Sequence, residues 1–70
     1  MQPGDLRRFT PYGIPGECEF GAGDIFMVLE VVEPRGGLRK EVTFLVNSTI
    51  MTGWGLLWIM NNSEVLNEAR

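Results

Sequence analysis

The residues of this 70-residue chain with the most chemical character are Cys18, the carboxylates Glu17, Glu19 and Asp24, and the basic set Arg7, Arg8, Arg35, Arg39 and Lys40. Cys18 stands between Glu17 and Glu19, whose negative charges work against the thiolate that attacks or binds metal. The chain has no histidine, which excludes a Ser-His-Asp triad, a Cys-His dyad, a His-ligated zinc and a general base already poised near neutral pH. A single cysteine makes neither an internal disulfide nor a four-cysteine zinc site. Cys18 therefore reads as a small buried hydrophobe. Glu17, Glu19 and Asp24 have the oxygen chemistry of a hard-cation site, but their spacing matches no calcium loop. Paired carboxylates also serve glycoside hydrolysis, for which so short a chain leaves little room, so these three read as solvated loop charge. Gly21-Ala22-Gly23-Asp24 contains a Gly-x-Gly with no third glycine and leads into a strand, so it reads as a turn and not a nucleotide loop. No catalytic residue, cofactor or metal is expected, and the chain reads as non-enzymatic.

Two constellations remain. Arg7, Arg8, Arg35, Arg39 and Lys40 hold all but one of the six basic residues, and a curled sheet that gathered them would suit nucleic acid. Six Lys+Arg against nine Asp+Glu leave a formal charge of −3, the wrong sign for long-range attraction to phosphates. Nucleic-acid binding is thus the alternative, with a solvated hairpin tip as the plain reading. The run Trp54, Leu56, Leu57, Trp58, Ile59, Met60 is more informative. If extended, Trp54, Leu56, Trp58 and Met60 share one face, which serves as core, as a contact surface for self-association or as a ligand or peptide groove, though a proline-peptide groove would have only Tyr12 and the two tryptophans to line it. Asn47-Ser48-Thr49 and Asn61-Asn62-Ser63 match glycosylation acceptors but are explained by turn chemistry.

The elements that position these residues are short. Nine glycines and four prolines sit mostly between brief apolar runs, as in strands joined by turns. The pattern predicts a first strand over 6–10, then a long Pro/Gly loop toward Gly23. Residues 25–32 form the clearest strand, with Ile25, Met27, Leu29 and Val31 on one face and Phe26, Val28, Glu30 and Val32 on the other. A small open sheet normally shows one polar face, so two apolar faces call for a covered outside. Residues 33–40 read as a hairpin loop, and 41–47 as a strand with Val42, Phe44 and Val46 inward, in which Leu45 alone breaks the polar outward pattern. A turn and fourth strand follow, ending at Gly53-Trp54-Gly55. Residues 56–60 are open between strand and one helical turn, and 64–67 between a closing strand and a helix capped by Ser63.

Five short strands with a long first loop and a tight central hairpin predict a single all-β domain over 1–70, a small and strongly bent barrel. The opening Gln2-Pro3-Gly4-Asp5-Leu6, the central Val28-Leu29-Glu30-Val31, the strand 42–46 and the ending Asn62-Ser63-Glu64-Val65-Leu66-Asn67-Glu68-Ala69-Arg70 resemble small proteins of tailed phages, especially those of marine cyanobacteria. Those proteins look like Src-homology-3-like barrels, mostly of unknown function, so the resemblance implies that fold and a phage origin and brings no catalytic residues. The stretch 54–60 is longer and more apolar than the resemblance implies. Burial and chain entropy nearly balance for so short a chain, which favours a second source of burial. The expectation is a protein-interaction or structural module that self-associates through Trp54, Leu56, Trp58, Met60, Phe26 and Val28, with another phage or host protein as a further partner. No segment approaches the roughly 20 apolar residues of a membrane span, and the host cytoplasm or the virion is the expected location.

Overall fold

The structure, a computed structural model, describes residues 1–10, 20–33 and 39–69. Five strands, β1 (Leu6–Phe9), β2 (Ile25–Val32), β3 (Glu41–Val46), β4 (Thr49–Gly55) and β5 (Ser63–Asn67), form one antiparallel sheet in the order β4-β3-β2-β1-β5. A short helix, α1 (Leu56–Asn61), joins β4 to β5. The fold is mostly β, as expected, with one correction: the sheet is not closed, because β4 and β5 are its two edges. Of the two readings open for residues 56–60, the helical one holds. α1 packs against β3, β4 and β5, so a helix stands where closure would have required a ladder between the edges. Its burial shows why the run is no strand. Ile59 is fully buried while Leu57, two positions away, is 64% exposed, whereas residues two apart on a strand share a face.

Irregularities in the ladders decide which side chains point inward. Along β2, Phe26 and Val28 face the core, then the pairing with β3 slips between Val28 and Glu30. A bulge of this kind adds one residue and inverts the alternation beyond it. Val31 therefore joins the core margin, while Glu30 and Val32 point outward. The bulge removes the conflict of a glutamate on an otherwise apolar inner face. A second slip lies between Val42 and Phe44 on β3, opposite the Met51 to Trp54 stretch of β4, where Gly53 takes a left-handed φ of +77°. β3 and β4 are joined by the two-residue turn Asn47-Ser48, with φ of 50° and 64°, the paired positive angles of a type I′ hairpin. Asp24 ties this turn to the one before β2, since its Oδ2 accepts the Gly21 N–H at 2.8 Å and the Asn47 side-chain amide at 3.0 Å.

The two chain ends meet at Asp5. Its carboxylate, only 4% exposed, accepts the backbone N–H of Ala69 at 2.7 Å and of Gln2 at 3.0 Å. The flanking backbone bonds Gly4 N–H to Val28 O and Val28 N–H to Asp5 O, at 2.7 and 2.9 Å, fasten this knot to β2. Donation from Ala69, then from Gln2, holds the Asp5 pKa below its ordinary 3.8 against the opposing effect of burial, with smaller help from the N-terminal amine and Arg7. A depressed folded-state pKa stabilises the fold above the unfolded-state value, and that contribution is lost as pH falls through the folded-state value. Asp5→Asn is therefore expected to lower stability at pH 7 by about 1–3 kcal/mol. In urea titrations the gap between the two proteins should persist at pH 5 and close as the pH drops below the ordinary aspartate range. A gap that does not narrow in acid would show that the charge on Asp5 is not what holds the termini.

Candidate functional site

The inner face of the sheet is an aromatic cluster. Phe9 stacks between Phe20 and Phe26 with ring centroids 4.4 and 4.3 Å away, and Phe44 meets Phe26 at 4.9 Å. Val28, Val42, Val46 and Ile59 complete the buried core. Trp54 and Trp58, with centroids 4.9 Å apart, sit at its rim, where Trp54 packs edge-on against Phe20 at 5.2 Å. Such ring pairs add about 0.5–1.5 kcal/mol beyond the area they bury.

The expected interface residues separate under this geometry. Phe26 and Val28 are each 1% exposed and belong to the core, which corrects their assignment to an outer contact surface. Trp54, Leu56 and Trp58 are half-buried against the core and have one side toward solvent, while Met60 is 47% exposed. The helix disperses these four residues, so they do not form the single face that an extended run would have given them.

A second unpartnered surface is the outer face of the sheet. Cross-strand register sets Leu6 opposite Met27, Met27 opposite Leu45 and Leu45 opposite Ile50. Residues directly opposite on antiparallel strands share a face, so Leu6, Met27, Leu45 and Ile50 form an apolar row across β1, β2, β3 and β4. Ile25 lies beside it, opposite Arg8. Ile25 and Ile50 are 53% and 61% exposed. Two signals in the sequence pointed here, namely the double apolar face of β2 and the misplaced Leu45, but the choice between the two faces of β2 required the inward set to be known.

The basic residues are not gathered into one patch. Arg7 donates its Nε–H to Ser63 Oγ at 2.8 Å and an Nη2–H to Ser63 O at 3.1 Å, and Ser63 Oγ donates to Ile59 O. Arg7 thus fixes the exit of α1 into β5. Arg8 forms an exposed ion pair with Glu64 at 2.6 Å. Arg39 and Lys40 precede β3, whose Glu41 pairs with Val32, whereas Arg7 pairs with Phe26. The two pairs of cations thus flank β2 positions separated by roughly 20 Å of strand. Arg35 lies outside the described residues, as do Cys18, Glu17 and Glu19. The Gly21-Ala22-Gly23-Asp24 turn is present, with Asp24 N–H donating to Gly21 O at 3.1 Å. Among the described residues no group of three or more His, Cys, Asp or Glu could hold a metal ion, and no helix is long and apolar enough to cross a membrane.

A cleft of about 270 Å³ lies beside α1, lined by Arg39, Lys40, Gly55, Leu56, Leu57 and Trp58. Nothing in the sequence joined these two stretches, which the ladder between β3 and β4 brings side by side through the Glu41 and Gly55 pair.

The two neighbouring arginines are expected to differ when replaced. Arg7→Ala removes charge-assisted bonds to a buried serine and should cost about 1–2 kcal/mol in urea unfolding, while Arg8→Ala breaks only a surface pair and should cost under about 1 kcal/mol. Equal losses would show that Arg7 is not the structural one of the two.

Compared with known proteins, the chain matches no family model, no curated protein and no solved structure.

Proposed function

We propose that this chain is a non-enzymatic, Src-homology-3-like interaction module of phage type that binds copies of itself through the outer face of its sheet. The observation that carries the reading is the row Leu6, Met27, Leu45 and Ile50 with Ile25 beside it. These side chains lie on the face opposite the chain's own core; Ile25, Met27 and Ile50 are exposed and Leu6 and Leu45 half-buried between them, and a contiguous apolar patch open to solvent marks a contact surface. A second copy suits this face better than an unrelated surface for two reasons. Sheets stack face to face with apolar side chains interdigitating about 10 Å apart, and the charges flanking the row at Ile25, Arg8 and Glu64, already neutralise each other, so like faces meet without like-charge repulsion. The non-enzymatic part rests on a sequence without histidine, and the phage origin on the resemblance carried by Gln2-Pro3-Gly4-Asp5-Leu6 and the C-terminal segment.

Sedimentation velocity tests this. The protein is expected to run as a dimer or larger at about 100 µM, a concentration at which even weak specific contacts of about 5–6 kcal/mol are substantially occupied. Met27→Glu should give a folded monomer, because the side chain points to solvent, while Trp54→Glu should unfold the chain by driving a charge into the aromatic rim. A wild-type monomer at that concentration, or an assembly indifferent to Met27→Glu, would sink the proposal.

A further inference from the structure

The cleft beside α1 shares no residue with the apolar row. Its cationic wall is Arg39 and Lys40, and its apolar wall is Leu56, Leu57 and Trp58 around Gly55. The Leu56 N–H donates to Lys40 O at 3.0 Å, so the backbone itself holds the two walls together. Leu56 and Trp58 rest on the core with one side free. Leu57 is 64% exposed, more than any other large apolar residue described, and it borders this cleft. Arg39 and Lys40 are exposed, and among the described residues neither forms an ion pair. Glu41, the next residue along, has a carboxylate oxygen directed at Gly53, 3.3 Å from where a Cβ would stand. The cleft therefore combines two available cations with an apolar floor, in a chain whose formal charge is −3.

Size and charge together restrict the occupant. A volume of about 270 Å³ is just below the roughly 300–1,000 Å³ that encloses a whole small-molecule ligand, and it is enough for one or two side chains. We propose that the cleft docks a linear acidic segment of a partner protein, with an aliphatic side chain seated against Leu57 and Trp58 and a neighbouring carboxylate held by Arg39 and Lys40. A guanidinium presents a fork that fits a carboxylate at two points, and the lysine adds a mobile point charge. A nucleic acid fits less well, since a polyanion would meet a net negative chain with two cations to neutralise it.

The probe is a fluorescein-labelled, end-blocked peptide of alternating glutamate and leucine, titrated with the full chain and followed by anisotropy. Joint replacement of Arg39→Gln and Lys40→Gln is expected to weaken binding at least about tenfold, and Leu57→Ala about fivefold. Both sets of side chains are exposed, so the variants should keep the wild-type urea midpoint. The same peptide with glutamine for glutamate should bind at least about tenfold more weakly, and Met27→Glu, which tests the outer face separately, should leave peptide affinity unchanged. No binding at millimolar peptide, equal affinity for the neutral peptide, no loss in the double variant, or tighter binding of a single-stranded oligonucleotide of equal charge would each overturn the proposal.

Discussion

The structure depends on how six aromatic rings share one face of a small sheet. Phe9 comes from β1, Phe26 from β2, Phe44 from β3, Trp54 from β4 and Trp58 from α1, with Phe20 entering just ahead of β2. Each of these elements is too short to be stable alone, since an isolated hairpin or a helix of two turns is marginal in water. One ring from each makes the cluster a joint product, so that losing any element strips ring contacts from at least two of the others. Phe9 is the hinge of this arrangement, stacked on both sides and met edge-on by Phe44 at 5.8 Å. Because the inner face is filled by these rings, the apolar residues of the outer face have no place in the core.

β5 is the exception, and it is held by different physics. It contributes no ring; only Ser63, at its start, is buried. Its attachments are polar, through the Arg7 bonds to Ser63, the Arg8 pair with Glu64, the Thr10 N–H to Asn62 O at 2.9 Å and the Asp5 bond to Ala69. Hydrogen bonds of this kind contribute about 1 kcal/mol net each, or somewhat more with a charged partner, and several of them are exposed to water. The sheet thus has an apolar body, β4 to β1, and a polar seam at β5. Local opening begins where apolar burial is least, which places it at that seam.

Much of this was legible in the chain. The β2 boundaries at Ile25 and Val32 and the strand from Glu41 follow from β-branched runs between turn formers, whereas Asn47, read as the last residue of that strand, belongs to the turn after it. Leu45 announced the outer row by breaking an otherwise clean alternation. The rest needed tertiary information. A bulge at Leu29 leaves no mark in composition, yet it exchanges the faces of Val31 and Val32. With both faces of β2 apolar, nothing local showed that Phe26 and Val28 go inward, and ring stacking with Phe9 and Phe44 decides it. Five residues could not fix a period for Leu56 to Met60, and helix wins because Ile59 can then fill the open side of the core. Arg7 resembled a surface cation until the pairing of β1 with β5 placed Ser63 beside it.

The open sheet and the cleft have the same origin. A helix placed between the two edges closes the core with Ile59, leaves Leu56 and Trp58 half-buried along its rim and turns Leu57 outward. Trp58 consequently belongs to two systems, the aromatic cluster through Trp54 and Phe9, and the cleft wall beside Arg39 and Lys40. A ligand that binds only the folded chain stabilises it by RT ln(1 + [L]/Kd), about 2.7 kcal/mol at one hundred times Kd. For a chain whose own burial barely exceeds its entropy cost, that is a large fraction of the whole. An occupant of the cleft would press on the indole that braces the core, and a mate on the outer row would cover the back of the strands that carry the other rings. Occupancy of either surface would thus be coupled to the stability of the fold through the same aromatic cluster.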